Sequence, residues 1–172
     1  FTSRIVQTGV GGSDNIIIGD TNTFSAQIDG GLNTSRRNVI IGADSGQFIT
    51  TGDQNTVVGN EAMKGSDGNG DQASNVAIGF YSLRVNQADN NTAVGSQAGQ
   101  SNTTGYSNTF IGQGAGQSVT TGNNNTYVGI GSGASTDSTN NTMLGPSAGQ
   151  LAKHSDGNVV IGHTSGRLLK GD

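Results

Sequence analysis

One five-residue motif, Asn–x–x–(Ile/Val/Leu)–Gly, occurs nine times in this chain of 172 residues, and its second residue is β-branched in every copy. Successive motif Asn residues lie 23, 17, 20, 16, 17, 17, 16 and 17 residues apart. Helical-repeat arrays and propeller blades have periods of roughly 30 to 50 residues, whereas about 17 residues suit one coil of a β-solenoid. The copies stand at residues 15–19, 38–42, 55–59, 75–79, 91–95, 108–112, 125–129, 141–145 and 158–162.

The repeats predict an all-β chain, a parallel β-solenoid of about ten short coils. Its coils occupy residues 15–166, residues 1–14 form a lead-in or cap, and residues 167–172 form a tail. With 30 Gly and only 12% charged residues the composition would also suit a disordered chain, but the regular apolar positions argue against disorder. The net charge of −4 is mild and dispersed, so we do not expect nucleic acid as a partner. No stretch approaches the roughly 20 apolar residues that span a bilayer, so we do not expect membrane insertion.

The side chains of a strand alternate between two faces, and the aliphatic fourth motif position is interpreted as the coil interior. The second position shares its face. Three residues after the motif Gly, eight coils carry Ala or Ser, which we expect on a second short strand lining the narrow interior. The stacked motif Asn residues are expected to hydrogen-bond along the solenoid. The predicted interior column is Ile18, Ile41, Val58, Ile78, Val94, Ile111, Val128, Leu144 and Ile161.

The third motif position is then interpreted as facing outward. It is apolar in every copy, and an apolar ridge on a thin rod is typical of a contact surface. We therefore expect the ridge to pack against sister chains as a trimer interface. Its members are Ile17, Ile40, Val57, Ala77, Ala93, Phe110, Tyr127, Met143 and Val160.

These repeats, most clearly NTFIGQGAGQ and NTAVGSQAGQ, resemble the YadA-type head repeat of trimeric autotransporter adhesins. They resemble equally the related shaft repeats of phage and viral tail fibres and of bacterial fibre proteins. The resemblance implies three parallel chains, each a left-handed β-roll, in an extracellular appendage of a cell or virion. The implied function is structural and adhesive, without enzymatic activity, and the implied partners are the homotrimer and a cell-surface glycan or receptor.

The residues that could carry chemistry are sparse. The coil between Asn55 and Asn75 is three residues longer than the common step of 17, and its insertion, residues 63–74, is a candidate ligand loop. We expect Tyr81 and Tyr106 to be exposed. His154 and His163 have no accompanying ligand cluster, so neither a metal nor a cofactor is expected. The candidate ligand residues are Lys64, Asp67, Asn69, Asp71 and Tyr81.

Two other functions stay open beside the fibre. A glycan-binding or glycan-degrading tailspike would need two carboxylates within about 5–10 Å of each other, and Asp44, Asp53 and Glu61 come from neighbouring coils. A monomeric ice-binding solenoid would need a flat outward array of Thr. The recurrent Thr of the second motif position alternates with Val and is expected to face inward, which argues against that function.

Overall fold

The described part of the chain forms one ten-stranded sheet whose strands follow each other in sequence order. A computed structural model describes residues 4–6 (main chain alone), 14–20, 34–65, 71–134, 137–150 and 156–166. Strands β2 to β10 are all parallel to one another, which confirms the predicted parallel β-solenoid. The strands are β1 (Arg4–Val6), β2 (Ile16–Gly19), β3 (Val39–Ile41), β4 (Thr56–Val58), β5 (Val76–Ile78), β6 (Thr92–Val94), β7 (Thr109–Ile111), β8 (Thr126–Val128), β9 (Thr142–Leu144) and β10 (Val159–Ile161).

Strand β1 differs from the others because it runs antiparallel to β2. Arg4 lies opposite Gly19, and Val6 lies opposite Ile17. An exposed strand edge is a template for further pairing. The antiparallel strand therefore covers the N-terminal edge of the parallel sheet, as a cap would.

The predicted Asn ladder is confirmed at every step from Asn15 to Asn158. The side-chain oxygen of each motif Asn accepts the main-chain N–H of the next motif Asn, at 2.8–3.0 Å. The motif Asn residues are buried, apart from the half-buried Asn158. Because an unpaired buried polar group costs about 1–3 kcal/mol, this ladder specifies the stacking of one coil upon the next.

The predicted assignment of the two strand faces is wrong. The third motif position, expected to face outward as a trimer interface, is the coil interior: its side chains are fully buried from Ile40 to Met143, and only Ile17 and Val160 are slightly exposed. The second and fourth positions, expected inside, face outward. The reason is the alternation itself, since the buried motif Asn occupies the first position and the third position lies on the same face.

Small residues opposite the third position make room for its largest side chains. Gly116 has a φ of 60°, and a Cβ at this position would collide with the Phe110 ring. In the β4 and β5 coils, where the third position is the smaller Val57 or Ala77, the residue equivalent to Gly116 is the buried Met63 or Leu83. In these three coils a large side chain at one position thus accompanies a small one at the other, as close packing requires. In the β6 coil both positions are small, Ala93 and Gly99, and the space beside Gly99 is taken by Leu83 and Phe110 of the neighbouring coils.

The second strand expected in each coil is absent in the described residues, where this segment has a turn conformation. Positive φ angles explain the difference: Gln97 and Gly99 have φ near 60°, which is incompatible with an extended strand. The segment still bonds from coil to coil, as when Gly99 N–H donates to the Ala115 carbonyl at 2.9 Å. The Ala and Ser residues predicted to line the interior here are buried from Ser45 to Ala148.

A two-coil period is superimposed on the single-coil repeat. In alternate coils, an Asp or Asn two residues before the motif Asn accepts the main-chain N–H of the equivalent residue in the preceding coil. These bonds join Arg36 N to Asp53 (2.6 Å), Ala73 N to Asp89 (2.8 Å), Tyr106 N to Asn123 (2.9 Å) and Thr139 N to Asp156 (2.7 Å). The corner before each strand is therefore tied by side chains as well as by main chain.

Candidate interaction surface

The outward side of the parallel sheet is a continuous apolar and threonine-rich surface. We call it the outer strip and define it as the second and fourth motif positions of all nine motifs. Its fourth-position members include Ile111, which is 40% exposed, and Ile161, which is 67% exposed. The second-position members are Ile16, Val39, Thr56, Val76, Thr92, Thr109, Thr126, Thr142 and Val159.

The outer strip carries no charge in any of its positions. Two further exposed apolar residues, Phe80 (45%) and Ile130 (61%), immediately follow motif Gly residues and lie beside it. Equivalent motif positions of β2 to β10 are aligned in register, as where Phe110 lies opposite Tyr127, so the strip runs along the solenoid axis. Soluble monomers rarely expose a contiguous apolar surface of this extent unless it serves an interaction.

The motif Gly residues keep the strands closely stacked beneath this strip. Gly112 has a φ of 128°, and a Cβ there would lie 2.7 Å from the carbonyl carbon of Gly129 in the next coil. Any larger residue would separate the coils at this corner.

The sequence contains part of the signal for the correct orientation. The motif Asn is expected to hydrogen-bond along the solenoid, and the period of two places the third position on the same face as this Asn. Which of the two faces is internal follows only from the burial of the Asn. In the sequence, the uninterrupted aliphatic character of the fourth position favours that column as the core. An unbroken aliphatic column is typical of burial, but it does not distinguish burial within one chain from burial between chains.

Of the candidate ligand residues, the structure brings Lys64 and Tyr81 together around Glu61. The Glu61 carboxylate accepts hydrogen bonds from Arg84 Nε and Nη2 at 2.8 and 2.7 Å, from Lys64 Nζ at 3.5 Å and from the Tyr81 hydroxyl at 3.4 Å. Burial acts to raise the pKa of Glu61, but bonding to Arg84, the charge of Arg84 and the nearby Lys64 hold that pKa below its ordinary value. Phe80 stacks on Tyr81 with ring centroids 3.8 Å apart.

The remaining candidate ligand residues lie elsewhere. Asp67 and Asn69 lie outside the described residues, and Asp71 lines a separate groove. The described ends of the insertion are anchored, since Met63 and Gln72 are buried and Met63 N–H donates to the Ser82 carbonyl of the next coil.

That groove has a volume of about 390 Å³ and lies along the corners before β5, β6 and β7. Tyr106, expected to be exposed, is 49% exposed there, whereas Tyr81 is half-buried. The lining residues are Asp71, Gln87, Ala88, Asp89, Asn90 and Tyr106.

Two of the three carboxylates considered for catalysis, Glu61 and Asp53, already have partners. Glu61 is held by Arg84 and Lys64, as described, and Asp53 accepts the Arg36 N–H and lies 3.8 Å from Arg37 Nη2. His163 is exposed, and His154 lies outside the described residues. Within the described ranges, no group of three or more His, Cys, Asp or Glu residues lies close enough together to hold a metal ion, and no helix is long and apolar enough to cross a bilayer.

Asp137 is the most heavily hydrogen-bonded carboxylate described. It accepts bonds from the Thr120 hydroxyl (2.6 Å), the Thr121 hydroxyl (3.1 Å) and the main-chain N–H groups of Thr120, Thr121 and Gly122 (3.2, 2.8 and 2.8 Å). Burial acts to raise the pKa of Asp137, but these bonds prevail and lower it to about 2. We call this set of hydrogen bonds around the carboxylate the Asp137 clasp. The sequence did not indicate it, because Asp137 does not occupy a recurrent position of the motif.

Comparison with protein-family models, with curated proteins and with solved structures found no match to this chain. The resemblance to the YadA-type head repeat therefore rests on the motif alone.

Proposed function

We propose that this chain is a structural and adhesive segment of a homotrimeric fibre, without enzymatic activity. One observation carries the proposal: the outer strip is apolar and threonine-rich, uncharged and unpartnered along the nine parallel strands of a single chain. At about 4.8 Å per coil, it is about 40 Å long. A surface of that shape suits a partner that runs parallel to it over its whole length.

Further copies of this chain meet that requirement. Packing around a threefold axis parallel to the solenoid axis brings the same strip of each copy together and closes the assembly. The number three and the left-handed β-roll come from the resemblance to the YadA-type and fibre-shaft repeats, and the count of about ten coils comes from the number and spacing of the repeats. The interface residues differ from those first expected, because the third motif position is already buried within each chain.

The fibre proposal places the segment in an extracellular appendage of a cell or virion that attaches to a surface glycan or receptor. A solenoid suits such a shaft because each coil is bonded to its neighbours along its whole length, through the Asn ladder and the main chain. The paired states of Asp53 and Glu61 favour this function over a glycan-cleaving one, which needs one carboxyl group able to donate a proton.

Ice binding by a monomer is a second candidate, and one observation favours it. The expectation that the recurrent Thr residues face inward is wrong: Thr92, Thr109, Thr126 and Thr142 lie on the outer strip in four consecutive coils. Their side chains therefore recur about every 4.8 Å on a parallel sheet, beside the aliphatic fourth position. A regular array of hydroxyl and methyl groups is what ordering of surface water requires.

The two functions use the same strip and are mutually exclusive for it, because a trimer covers the strip and a monomer presents it. Light scattering on the purified chain measures the molar mass directly. We expect three times the chain mass of 17.3 kDa and no depression of the freezing point beyond the colligative effect. A stable monomer would overturn the fibre proposal, and thermal hysteresis by that monomer would establish the ice-binding alternative.

A further inference from the structure

The groove along the corners before β5, β6 and β7 does not belong to the outer strip, since none of its lining residues lies in a strand. Its volume of about 390 Å³ lies within the range of small-molecule sites, about 300–1,000 Å³. It opens where the coil spacing changes, because the 20-residue coil that contains Asp71 precedes a 16-residue coil that contains Gln87–Asn90.

Tyr106 is the aromatic wall of this groove and has no evident role in the fold. Its position, two residues before the motif Asn, is otherwise occupied in the described coils by Arg36, Asp53, Ala73, Asp89, Asn123, Thr139 and Asp156. The bonds that Tyr106 makes between coils use its main chain: its N–H donates to the Asn123 side chain at 2.9 Å, and its carbonyl accepts from Asn124 N–H at 3.1 Å. An aromatic ring is therefore not needed here for stacking the coils.

Beside the ring, the groove presents side-chain oxygens and amides. Asp71 and Asp89 provide carboxylate acceptors, and Gln87 and Asn90 provide carboxamides that both donate and accept. A pyranose ring matches this combination, because it has an apolar C–H face that can lie on an aromatic ring and hydroxyls at its edge that bond to planar carboxylates and amides.

The charge of the groove selects among sugars. Among the described residues the ion pairs are made by Asp53 and Glu61, so neither Asp71 nor Asp89 is paired with a cation. The carboxylates of Asp71 and Asp89 accept hydrogen bonds from the neutral hydroxyls of a sugar, but they repel a sugar that carries a carboxylate of its own. The groove thus disfavours uronic and sialic acids.

The groove is also held in place before any ligand arrives. Asp89 accepts the Ala73 N–H at 2.8 Å, and the Asp89 carbonyl accepts from Ser107 N–H at 3.2 Å. Such bonds between coils fix the distance from the carboxylate to the tyrosine-bearing corner. A preformed site spends little binding energy on ordering its own side chains.

We propose that this groove binds a neutral hexopyranose residue, with the sugar ring stacked on Tyr106 and its hydroxyls bonded to Asp71, Asp89 and Asn90. This inference rests on the attachment role in the proposed function and deepens it by naming the ligand class. The segment would then bind neutral surface glycans in addition to serving as a spacer.

The test uses the whole chain and saturation-transfer NMR. The neutral probes are methyl α-glucopyranoside, methyl α-mannopyranoside and methyl β-galactopyranoside, and the acidic probes are glucuronic acid and N-acetylneuraminic acid. We expect at least one neutral probe to bind, with transfer strongest at the C–H protons of one ring face. Tyr106→Ala should weaken it at least tenfold, and Tyr106→Phe, which keeps the ring, should retain most of it.

Phe80→Ala is the matched control, since Phe80 is similarly exposed but lies outside the groove, and it should leave binding unchanged. Asp71→Asn should weaken neutral sugars severalfold and reduce the discrimination against acidic ones. Absence of binding to all three neutral probes, binding unaffected by Tyr106→Ala, or binding of acidic probes alone overturns the inference. A trimer that binds no sugar overturns this inference alone, whereas a monomer that binds one overturns only the proposed trimer.

Discussion

The side-chain oxygen of Asn108 accepts two hydrogen bonds from Asn125 of the next coil, from its main-chain N–H at 2.9 Å and from its Nδ2 at 3.1 Å. The Asn108 Nδ2 in turn donates to the Gly122 carbonyl at 2.8 Å. One buried side chain thus bonds to the next motif Asn, at the start of the following strand, and to the turn that precedes that strand. This explains why no other residue type occupies the motif position: an Asp would lack the donor, and a Ser would not reach.

Replacing this residue should therefore be costly. Asn108→Ala leaves two buried polar groups without partners, the Asn125 N–H and the Gly122 carbonyl, because Asn125 Nδ2 keeps its bond to Ser138. At about 1–3 kcal/mol each, we expect a loss of at least about 2 kcal/mol in the free energy of unfolding. Urea denaturation measures it. Gln113→Ala, at an exposed position of the same coil, is the control and should change stability by less than about 0.5 kcal/mol. Equal effects of the two changes would contradict the structural role of the ladder.

The interior fit predicts a difference between two glycines of one coil. Gly114 and Gly116 have nearly the same φ, 64° and 60°, so Ala at either position suffers the same backbone strain of about 1 kcal/mol. A Cβ on Gly114 meets nothing closer than 3.5 Å, whereas one on Gly116 collides with Phe110. We expect Gly116→Ala to lower the melting temperature clearly more than Gly114→Ala. Indistinguishable melting temperatures would show that Phe110 does not fill the space beside Gly116.

If the chains assemble through the outer strip, charges placed on the strip should prevent association without preventing folding. Ile111→Asp combined with Val128→Asp places charges on the outward face, so each chain should keep its β-rich circular dichroism. Six charges would then meet at the interface of a trimer, where no cation of the strip offsets them. Light scattering should therefore report a monomer. Ser118→Asp, at an exposed position outside the strip, should remain trimeric, and a trimeric double variant would rule out the strip as the interface.

The Asp137 clasp predicts a pH-dependent contribution to stability. Its pKa in the folded chain is about 2, below its ordinary value of 3.8, so the folded state favours the ionised form. The stabilisation is therefore complete above about pH 4, falls as the pH drops toward 2 and is absent below that. The full shift corresponds to at most about 2.4 kcal/mol; because the carboxylate is partly open to solvent, screening reduces this to about 1 kcal/mol.

The measurement is urea denaturation of the wild type and of Asp137→Asn between pH 2 and pH 7. The wild type should be more stable at pH 7, and the difference should shrink as the pH falls below 4. Thr120→Val removes the shortest hydrogen bond, 2.6 Å to Asp137, and should reduce the pH-dependent part alone. A difference that stays constant down to pH 2 would show that the clasp does not favour the ionised carboxylate.

Some features of the structure can be predicted from the sequence, and others cannot. The strand at Thr109–Ile111 and its eight parallel counterparts follow from motif spacing, because a period near 17 residues suits only one closed coil per repeat. The groove beside Tyr106 was beyond prediction, although its exposed ring was expected. It arises where a 20-residue coil is followed by a 16-residue coil. How the main chain accommodates the change in length depends on contacts with the neighbouring coils.

The sequence by itself determined the parallel solenoid, the register of its coils and the Asn ladder, because an invariant Asn and Gly at a fixed spacing allow one stacking only. Only the tertiary structure decided which side of each three-residue strand faces inward. Phe110 and Ile111 are neighbours of similar apolar character, so hydrophobicity alone does not show which of the two faces inward. The interior accepts Phe110 because Gly116 leaves space for its ring, and such complementarity exists only once the coil has closed.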